Sequence, residues 1–318
     1  MKKKGLPLVC IVILNWNGGQ TIMNCLKSLK KTSYKNYKLI LVDNGSTDDS
    51  IKQLKKINKE IEIIYLDKNY GYTIGTNVGW KYAIINYDAD YICAMDSDIV
   101  TIQKDWLNVQ IEELEKDKTY GISSGRLAFP DGGLQMFDKN NDRGYFEQDH
   151  GQYNFVREVP YIRGACIIIK KSVINKIGYY DESFFYGPND IDYCYRAGQA
   201  GFKVLDNGHA KSTHIAGYTG SSHKKDMIYG PQSEGMLICW FRHNGIIGSI
   251  EMTLRQFTRA FITRRKPNNP KTLRNLVFNK TCLKRMFIFF KSFGNALKNY
   301  KKIKQNTKVK ILKRYLHS

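Results

Sequence analysis

The 318-residue chain has room for one large domain with an appendage, or for two modest domains, and its 42% hydrophobic and 25% charged residues fit a globular protein with a sizeable core. Its net charge of +21 is placed unevenly: residues 242–318 hold 20 Lys/Arg against the single acid Glu251, whereas residues 1–241 hold 30 against 28. A near-neutral body with a basic tail points to a polyanionic surface, membrane or nucleic acid, while seven Cys without a C-x-x-C spacing argue against a zinc site or a disulfide framework and for reduced thiols in a cytosolic chain.

Met1-Lys2-Lys3-Lys4 followed by Leu6 to Leu14 has the outline of a signal peptide. No small-residue cleavage site follows, and the apolar run stops at Asn15-Trp16-Asn17-Gly18-Gly19, so it reads as a buried first strand, Leu8–Leu14. Further strands are predicted at Tyr37–Val42, Ile61–Leu66 and Tyr91–Met95. Helices are predicted between them at Thr21–Lys30, Asp49–Ile57 (capped by Thr47 or Asp48) and Thr73–Ile85. Strands spaced by helices of about 10 residues imply βαβ units, hence an α/β fold with a mostly parallel central sheet and flanking helices. Right-handed crossovers then bring the polar strand ends, Asn17, Asp43, Asn69 and Asp96/Asp98, to one edge of the sheet.

After a helix at Trp106–Lys116, strands are predicted at Gly121–Phe129 and Val159–Lys170. The polar, Gly-rich segment Asp131–Glu158 between them is long for a connection and reads as a functional flap. A helix opens at Asn189-Asp190 and stops at Gly201; a short strand, Phe202–Leu205, and an extended piece ending Ser212-Thr213-His214 follow. Beyond about Lys224 the strands stop, and Met236–Phe241, Ile246–Ile262 and Leu276–Leu297 are predicted helical, broken at Pro267-Asn268-Asn269-Pro270. In the last of these, Leu283, Met286, Phe287, Phe290 and Phe293 share one face and Lys280, Lys284, Lys291 and Lys298 the other, a basic amphipathic helix. No stretch approaches the roughly 20 apolar residues needed to span a bilayer. The expected organisation is a catalytic body, 1–224, and a basic helical extension, 225–318, lying on an anionic membrane surface.

Asp96-Ser97-Asp98 carries the chemistry. Two carboxylates at the end of the apolar run Tyr91–Met95 lose solvation unless they are paired or bind a metal. Hard divalent cations bridge such carboxylates to substrate phosphates. The alternative is a solvated turn, which Asp also favours.

Four segments together resemble the family 2 glycosyltransferases of the GT-A fold: Ile11-Val12-Ile13-Leu14-Asn15-Trp16-Asn17-Gly18 with Leu41-Val42-Asp43-Asn44-Gly45-Ser46; Asn69-Tyr70-Gly71 through Asn77-Val78-Gly79; Met95-Asp96-Ser97-Asp98; and Arg163-Gly164-Ala165-Cys166 through Asp181-Glu182 to Asn189-Asp190-Ile191-Asp192, with His214. The resemblance spans about residues 7–220. It implies a nucleotide-binding part, about 1–98, and an acceptor part, about 99–224. It also implies an inverting transfer of a sugar from a UDP- or dTDP-type nucleoside diphosphate sugar to a hydroxyl of a glycan or lipid-linked acceptor, at the inner face of the cell membrane. Asp43 then reads the base, whose N3–H is a donor that an ionised carboxylate accepts. Asn17, Asn69, Asn77, Asp96 and Gly164 belong to the donor site, with a structural role for Asn69 and Asn77 left open. Asp96, Asp98 and His214 hold Mn2+ or Mg2+, an imidazole suiting Mn2+ better, with His209 as the nearby decoy. Asp190 is the general base, a role compatible with helix capping, and Asp192 points elsewhere. The chain departs from the family's pattern at Asn189, where relatives carry an acid. That departure keeps open a catalytically weak scaffolding relative, and the basic tail keeps open a nucleic-acid-binding protein. With no recognisable nucleic-acid module and an amphipathic face that suits lipid, nucleic acid is not the expected partner.

Overall fold

The computed structural model describes residues 5–57, 61–134, 149–215 and 235–243, together with Lys291 and Gly294. Strand β1 (Val9–Asn15) organises the rest. Val9, Ile11 and Ile13 enter one core and Cys10 and Val12 the other, so the strand is buried on both faces. On the first face lie α1 (Gly19–Leu29), α2 (Ser50–Ile57) and α4 (Trp106–Glu115), through Ile22, Leu26, Leu54, Trp106 and Leu114. On the second lie α3 (Tyr72–Tyr87), α5 (Lys171–Ile177) and α6 (Asn189–Gln199), through Val78, Trp80, Val173, Tyr193 and Ala197. Burying each such large apolar side chain contributes about 1.5–3 kcal/mol. Helix α3 lies close on the sheet because Gly79 faces it: a Cβ there would run into the side chains of Val12 and Val42.

The sheet order is β3-β2-β1-β4-β8-β6-β9-β5, with β7 added on β9. Strands β3 (Glu62–Tyr65), β2 (Tyr37–Asp43), β1 and β4 (Tyr91–Asp96) are all parallel, the part that the alternating pattern foretold. Beyond β4 the sheet is mixed. Strand β8 (Cys166–Lys170) runs antiparallel to β4 and to β6 (Tyr120–Ala128), while β9 (Lys203–His214) runs parallel to β6 and antiparallel to β5 (Ile99–Thr101) and β7 (Val156–Val159).

Two sequence expectations are corrected here. The single strand expected over Val159–Lys170 is two, β7 and β8, broken at residues 160–165. Pro160 has no N–H to give a ladder, and β7 joins β9 whereas β8 joins β4 and β6. The two short pieces expected at Phe202–Leu205 and Ser212–His214 are one strand, β9, with an irregularity between Asn207 and Lys211 opposite Gly125 and Arg126. Its polar sequence hid it. Strand β5 and helix α5 are further elements the sequence pattern did not reveal.

Among the described residues, those up to Glu182 and from Asn189 to Ile215 form the sheet unit, and Ser183–Pro188 groups with the helical segment 235–243 in a second. In the second, the Arg242 guanidinium lies 5.6 Å from the centre of the Phe184 ring. The helix expected at Met236–Phe241 falls within 235–243; those expected at Ile246–Ile262 and Leu276–Leu297, and residues 135–148 of the flap, lie outside the described residues. Among the described residues no helix is long and apolar enough to cross a membrane, and the cysteines are buried and form no disulfide.

Candidate active site

Parallel pairing of β1 and β2 sets Asn15 opposite Asp43 at the carboxyl ends of both strands. Asp43 is 6% exposed, and its Oδ1 accepts the Ser46 N–H at 3.3 Å. The surrounding asparagines shape the loops. Asn17, at φ +51°, accepts the Thr47 and Asp48 N–H groups on Oδ1 at 2.7 and 3.2 Å. Asn69 Oδ1 accepts from Gly71 N–H at 2.8 Å and from Asn44 Nδ2 at 3.0 Å. Asn44 also donates to the Gly71 carbonyl and accepts the Tyr70 N–H, so it ties the end of β2 to the start of α3. Asn77 does not reach the cleft. It is fully buried, and its amide grips Tyr180 by both ends, Nδ2 donating to the carbonyl at 2.9 Å and Oδ1 accepting the N–H at 3.1 Å. Of the two roles left open for Asn77, these hydrogen bonds fit the structural one.

At the end of β4 the chain passes through Asp96 and Asp98 into β5, whose pairing with β9 sets Ile99 opposite His214. That pairing brings residues 116 positions apart in sequence together. His214 Nε2 stands 3.3 Å from Asp98 Oδ2, each side chain 17% exposed. The ligand atoms of Asp96, Asp98 and His214 all lie within 4.8 Å of one another. His209, the decoy, is exposed. Asp96 Oδ1 and Asp98 Oδ1 are buried without a hydrogen-bond partner among the described residues. Orphaned carboxylate oxygens are costly unless a cation takes them. Burial pushes the Asp96 carboxyl up to about 7, and the neighbouring Asp98 charge adds to the rise. Burial works against a charged His214, but the Asp98 hydrogen bond and the two carboxylate charges outweigh it and raise its pKa. Two hard oxygens, an imidazole and unsatisfied buried lone pairs form a donor set that fits a divalent cation.

Antiparallel pairing of Met95 with Cys166 carries the 163–165 turn to the same edge, where Asp96 N–H donates to the Ala165 carbonyl at 2.8 Å. There Gly164 N–H donates to Asp190 Oδ2 at 2.7 Å, and Asp190 Oδ1 accepts the Ile191 N–H at 2.9 Å. A Cβ on Gly164 would stand 2.8 Å from that of Asp190, so only glycine lets the turn close on the carboxylate. Gly164 thus holds Asp190, and its N–H is not left for a donor. Burial raises the Asp190 pKa above the ordinary carboxylate value, against the pull of backbone N–H groups and of the Arg163 charge. Asp192 is fully buried and paired with Arg196 at 2.8 Å, on the far side of α6's first turn. Packing of Trp80 against Tyr180 (ring centres 4.5 Å) and of Tyr180 against Tyr193 (5.2 Å) supports α6 from below.

A model of the family described as glycosyl transferase family 2 matches residues 10–178. The chain belongs to glycosyltransferase family 2. Its relatives include a low-salt glycan biosynthesis hexosyltransferase of Haloferax volcanii, 24% identical over 196 residues covering 59% of this chain and 60% of that one. A putative teichuronic acid biosynthesis glycosyltransferase of Bacillus subtilis is 28% identical over 130 residues, 40% of this chain and 50% of that one. The match thus spans only part of these curated relatives. Among solved structures, GalNAc-T7 with UDP, GalNAc and Mn2+ superposes with a TM-score of 0.59 at 14% identity, covering 94% of this chain and 58% of that one. The mannosyltransferase PcManGT from Pyrobaculum calidifontis with GDP-Man and Mn2+ does so with 0.54 at 12% identity, covering 98% and 85%. These likenesses show the GT-A fold.

In this family 2 glycosyltransferase the matched segment stops before Asp190 and His214, so those two assignments stand on the geometry above. One residue of the site carried no signal in the sequence. Tyr72, at the first position of α3, hydrogen-bonds Asp96 and lies 3.5 Å from the Gly164 carbonyl, between the acidic pair and the turn that holds Asp190. It stands in the Asn69–Gly79 segment that carries the resemblance, one residue before the predicted helix, and no role is read for it there.

Proposed function

We propose that this glycosyltransferase moves a sugar from a uridine- or thymidine-diphosphate sugar to a hydroxyl of a glycan or lipid-linked acceptor, with inversion and with a divalent cation. The convergence of Asp96, Asp98 and His214 one strand away from Asp190 carries the reading. Asp96, Asp98 and His214 would hold the cation, which when bound offsets the charge of the nucleoside diphosphate. Asp43 accepts a hydrogen bond from the base N3–H. Asp190 takes the proton of the acceptor hydroxyl as its oxygen bonds to the anomeric carbon and the bond from that carbon to the diphosphate breaks. With the uncharged, buried Asn189 beside it, Asp190 owes its raised pKa to burial and not to a like charge next door, and a higher pKa makes it a stronger base. A single carboxylate base suits direct displacement, hence inversion. The metal- and nucleotide-bearing structures named above favour this chemistry. So does S. aureus TarS in complex with UDP-GlcNAc, which superposes at TM-score 0.54 and 14% identity over 93% of this chain and 82% of that one.

The relatives that build glycans point to a surface polysaccharide or glycoconjugate as the product. Residues 242–318, with 20 basic side chains against one acid, suit attachment to the anionic inner leaflet, where a lipid-linked acceptor meets soluble donor. The test is a screen of nucleotide sugars for release of nucleoside diphosphate, with Mn2+ and with excess chelator. Release from a UDP- or dTDP-sugar that chelator abolishes is expected; release undiminished in chelator, or none from any donor, overturns the proposal.

A further inference from the structure

Beside the base, a pocket opens in the sheet unit between β6, residues 153–163 and β9. Its walls are built, not incidental. Arg126, 6% exposed, donates to Asp149 Oδ1 at 2.6 Å, to the Gly208 carbonyl at 2.6 Å and to Asn154 Oδ1, and so pins residues 149–155 to the sheet. Gly208 N–H donates to the Phe155 carbonyl at 2.9 Å, and a Cβ at Gly208 would collide with the Tyr153 carbonyl. Held this way, the rings of Tyr153 and Phe155 stand 6.3 Å apart, and Phe155 is left 45% exposed. Arg157 meets Asp206 Oδ2 with both Nε (2.9 Å) and Nη2 (2.7 Å) across the pocket wall. Arg163 closes one end. It is exposed, has no ion-pair partner among the described residues, and immediately precedes Gly164, whose N–H is bonded to Asp190.

An exposed aromatic platform beside a planar charged pair matches a pyranose ring. The ring's C–H face is apolar and stacks, while its equatorial hydroxyls take bidentate contacts from guanidinium and carboxylate. The nucleotide does not compete for this place, because Asp43 lies at the end of β2, on the other side of β1 and β4. We infer that this pocket is the acceptor subsite: the acceptor sugar stacks on Phe155 and Tyr153, its hydroxyls meet Arg157 and Asp206, and Arg163 lies on the path from the pocket to Asp190. The inference rests on Asp190 as the base only for the direction of the acceptor; the pocket's affinity for sugar stands apart from it.

Saturation-transfer NMR on the full chain tests it, with methyl β-glucoside, methyl β-galactoside, methyl α-mannoside and the methyl β-glycoside of N-acetylglucosamine as probes. At least one is expected to bind through its ring protons, to persist in excess UDP and in Asp98→Ala, and to weaken about fivefold or more in Phe155→Ala but not in Phe155→Tyr. No binding by any probe, displacement by UDP, or equal binding in Phe155→Ala overturns the inference. Sugar binding by a protein that releases nucleoside diphosphate from no nucleotide sugar would leave the pocket standing and remove the proposed reaction; release of nucleoside diphosphate without sugar binding would do the reverse.

Discussion

Replacing Asp190 by Asn removes the proposed base and little else. Asp190 receives the Gly164 N–H on Oδ2 and the Ile191 N–H on Oδ1. The amide keeps one acceptor oxygen, so one backbone N–H loses its partner, at a cost of about 1–3 kcal/mol. A domain with about 5–15 kcal/mol of stability survives that. Loss of general-base catalysis lowers kcat by about 10²–10⁴-fold, which is about 2.7–5.5 kcal/mol in the barrier. Asp43 and the acidic pair are untouched, so the Kd for UDP measured by calorimetry stays within about threefold. The rate is read as nucleoside diphosphate released from the accepted donor. Only the ionised carboxylate takes a proton, so wild-type kcat falls as pH drops through the Asp190 pKa. Because burial raises that pKa, the acid limb lies above the ordinary carboxylate range, and it is absent in Asp190→Asn. Asp192→Asn is the control. It weakens a buried ion pair with Arg196 and shows as a lower Tm. An Asp190→Asn enzyme with wild-type kcat, or an Asp192→Asn enzyme with an unchanged Tm and the dead rate, would refute the assignment.

Three further outcomes are expected. Wild type gains thermal stability on adding MnCl2, by about 2.7 kcal/mol at a hundred times Kd, and Asp98→Ala loses that gain; an equal gain in both would remove Asp98 from the metal site. Asn77→Ala leaves two buried backbone groups of Tyr180 unpaired and lowers stability by about 2–5 kcal/mol in urea unfolding, with UDP affinity kept; a selective loss of UDP binding would return Asn77 to the donor site. The full chain floats with anionic but not zwitterionic liposomes and is released by high salt, whereas tight DNA binding without flotation would reverse the membrane reading.

The nucleotide-binding half was legible because its code is local. Strands β1, β2 and β4 carry apolar runs, β1 to β3 are each followed by a helix, and Asp43 and Asp96 end their strands where a parallel sheet gathers its ligands. In the other half α4, β6 and α6 were legible, whereas β5, β7, α5 and the full length of β9 were not. Asp190 and His214 could be named from the resemblance, yet β9 could not be drawn: Lys203, Asp206, Asn207, Lys211 and Ser212 spell a polar segment, and only pairing with β5, β6 and β7 makes it a strand. The role of Asn77 stayed open in the sequence for a related reason. An Asn in a Gly-rich helix start looks the same whether it faces a ligand or grips a buried backbone 103 residues away. Tyr72 and Arg126 were hidden because their partners, Gly164, Asp149 and Gly208, are distant in sequence.

Strand β9 serves two neighbourhoods with one piece of chain. Asp206 before its irregularity and Gly208 within it line the pocket; after it, Ser212 to His214 pair residue by residue with β5. A strand presents alternate residues to alternate faces, so one residue inserted between Lys211 and His214 would turn the imidazole away from Asp98. The same insertion between Asn207 and Lys211, where the ladder with β6 is already interrupted, would alter the pocket and leave the β5 pairing in step. Insertions and deletions can therefore remodel the pocket at one point of β9, and only a few residues further on the same change in length would part His214 from Asp98.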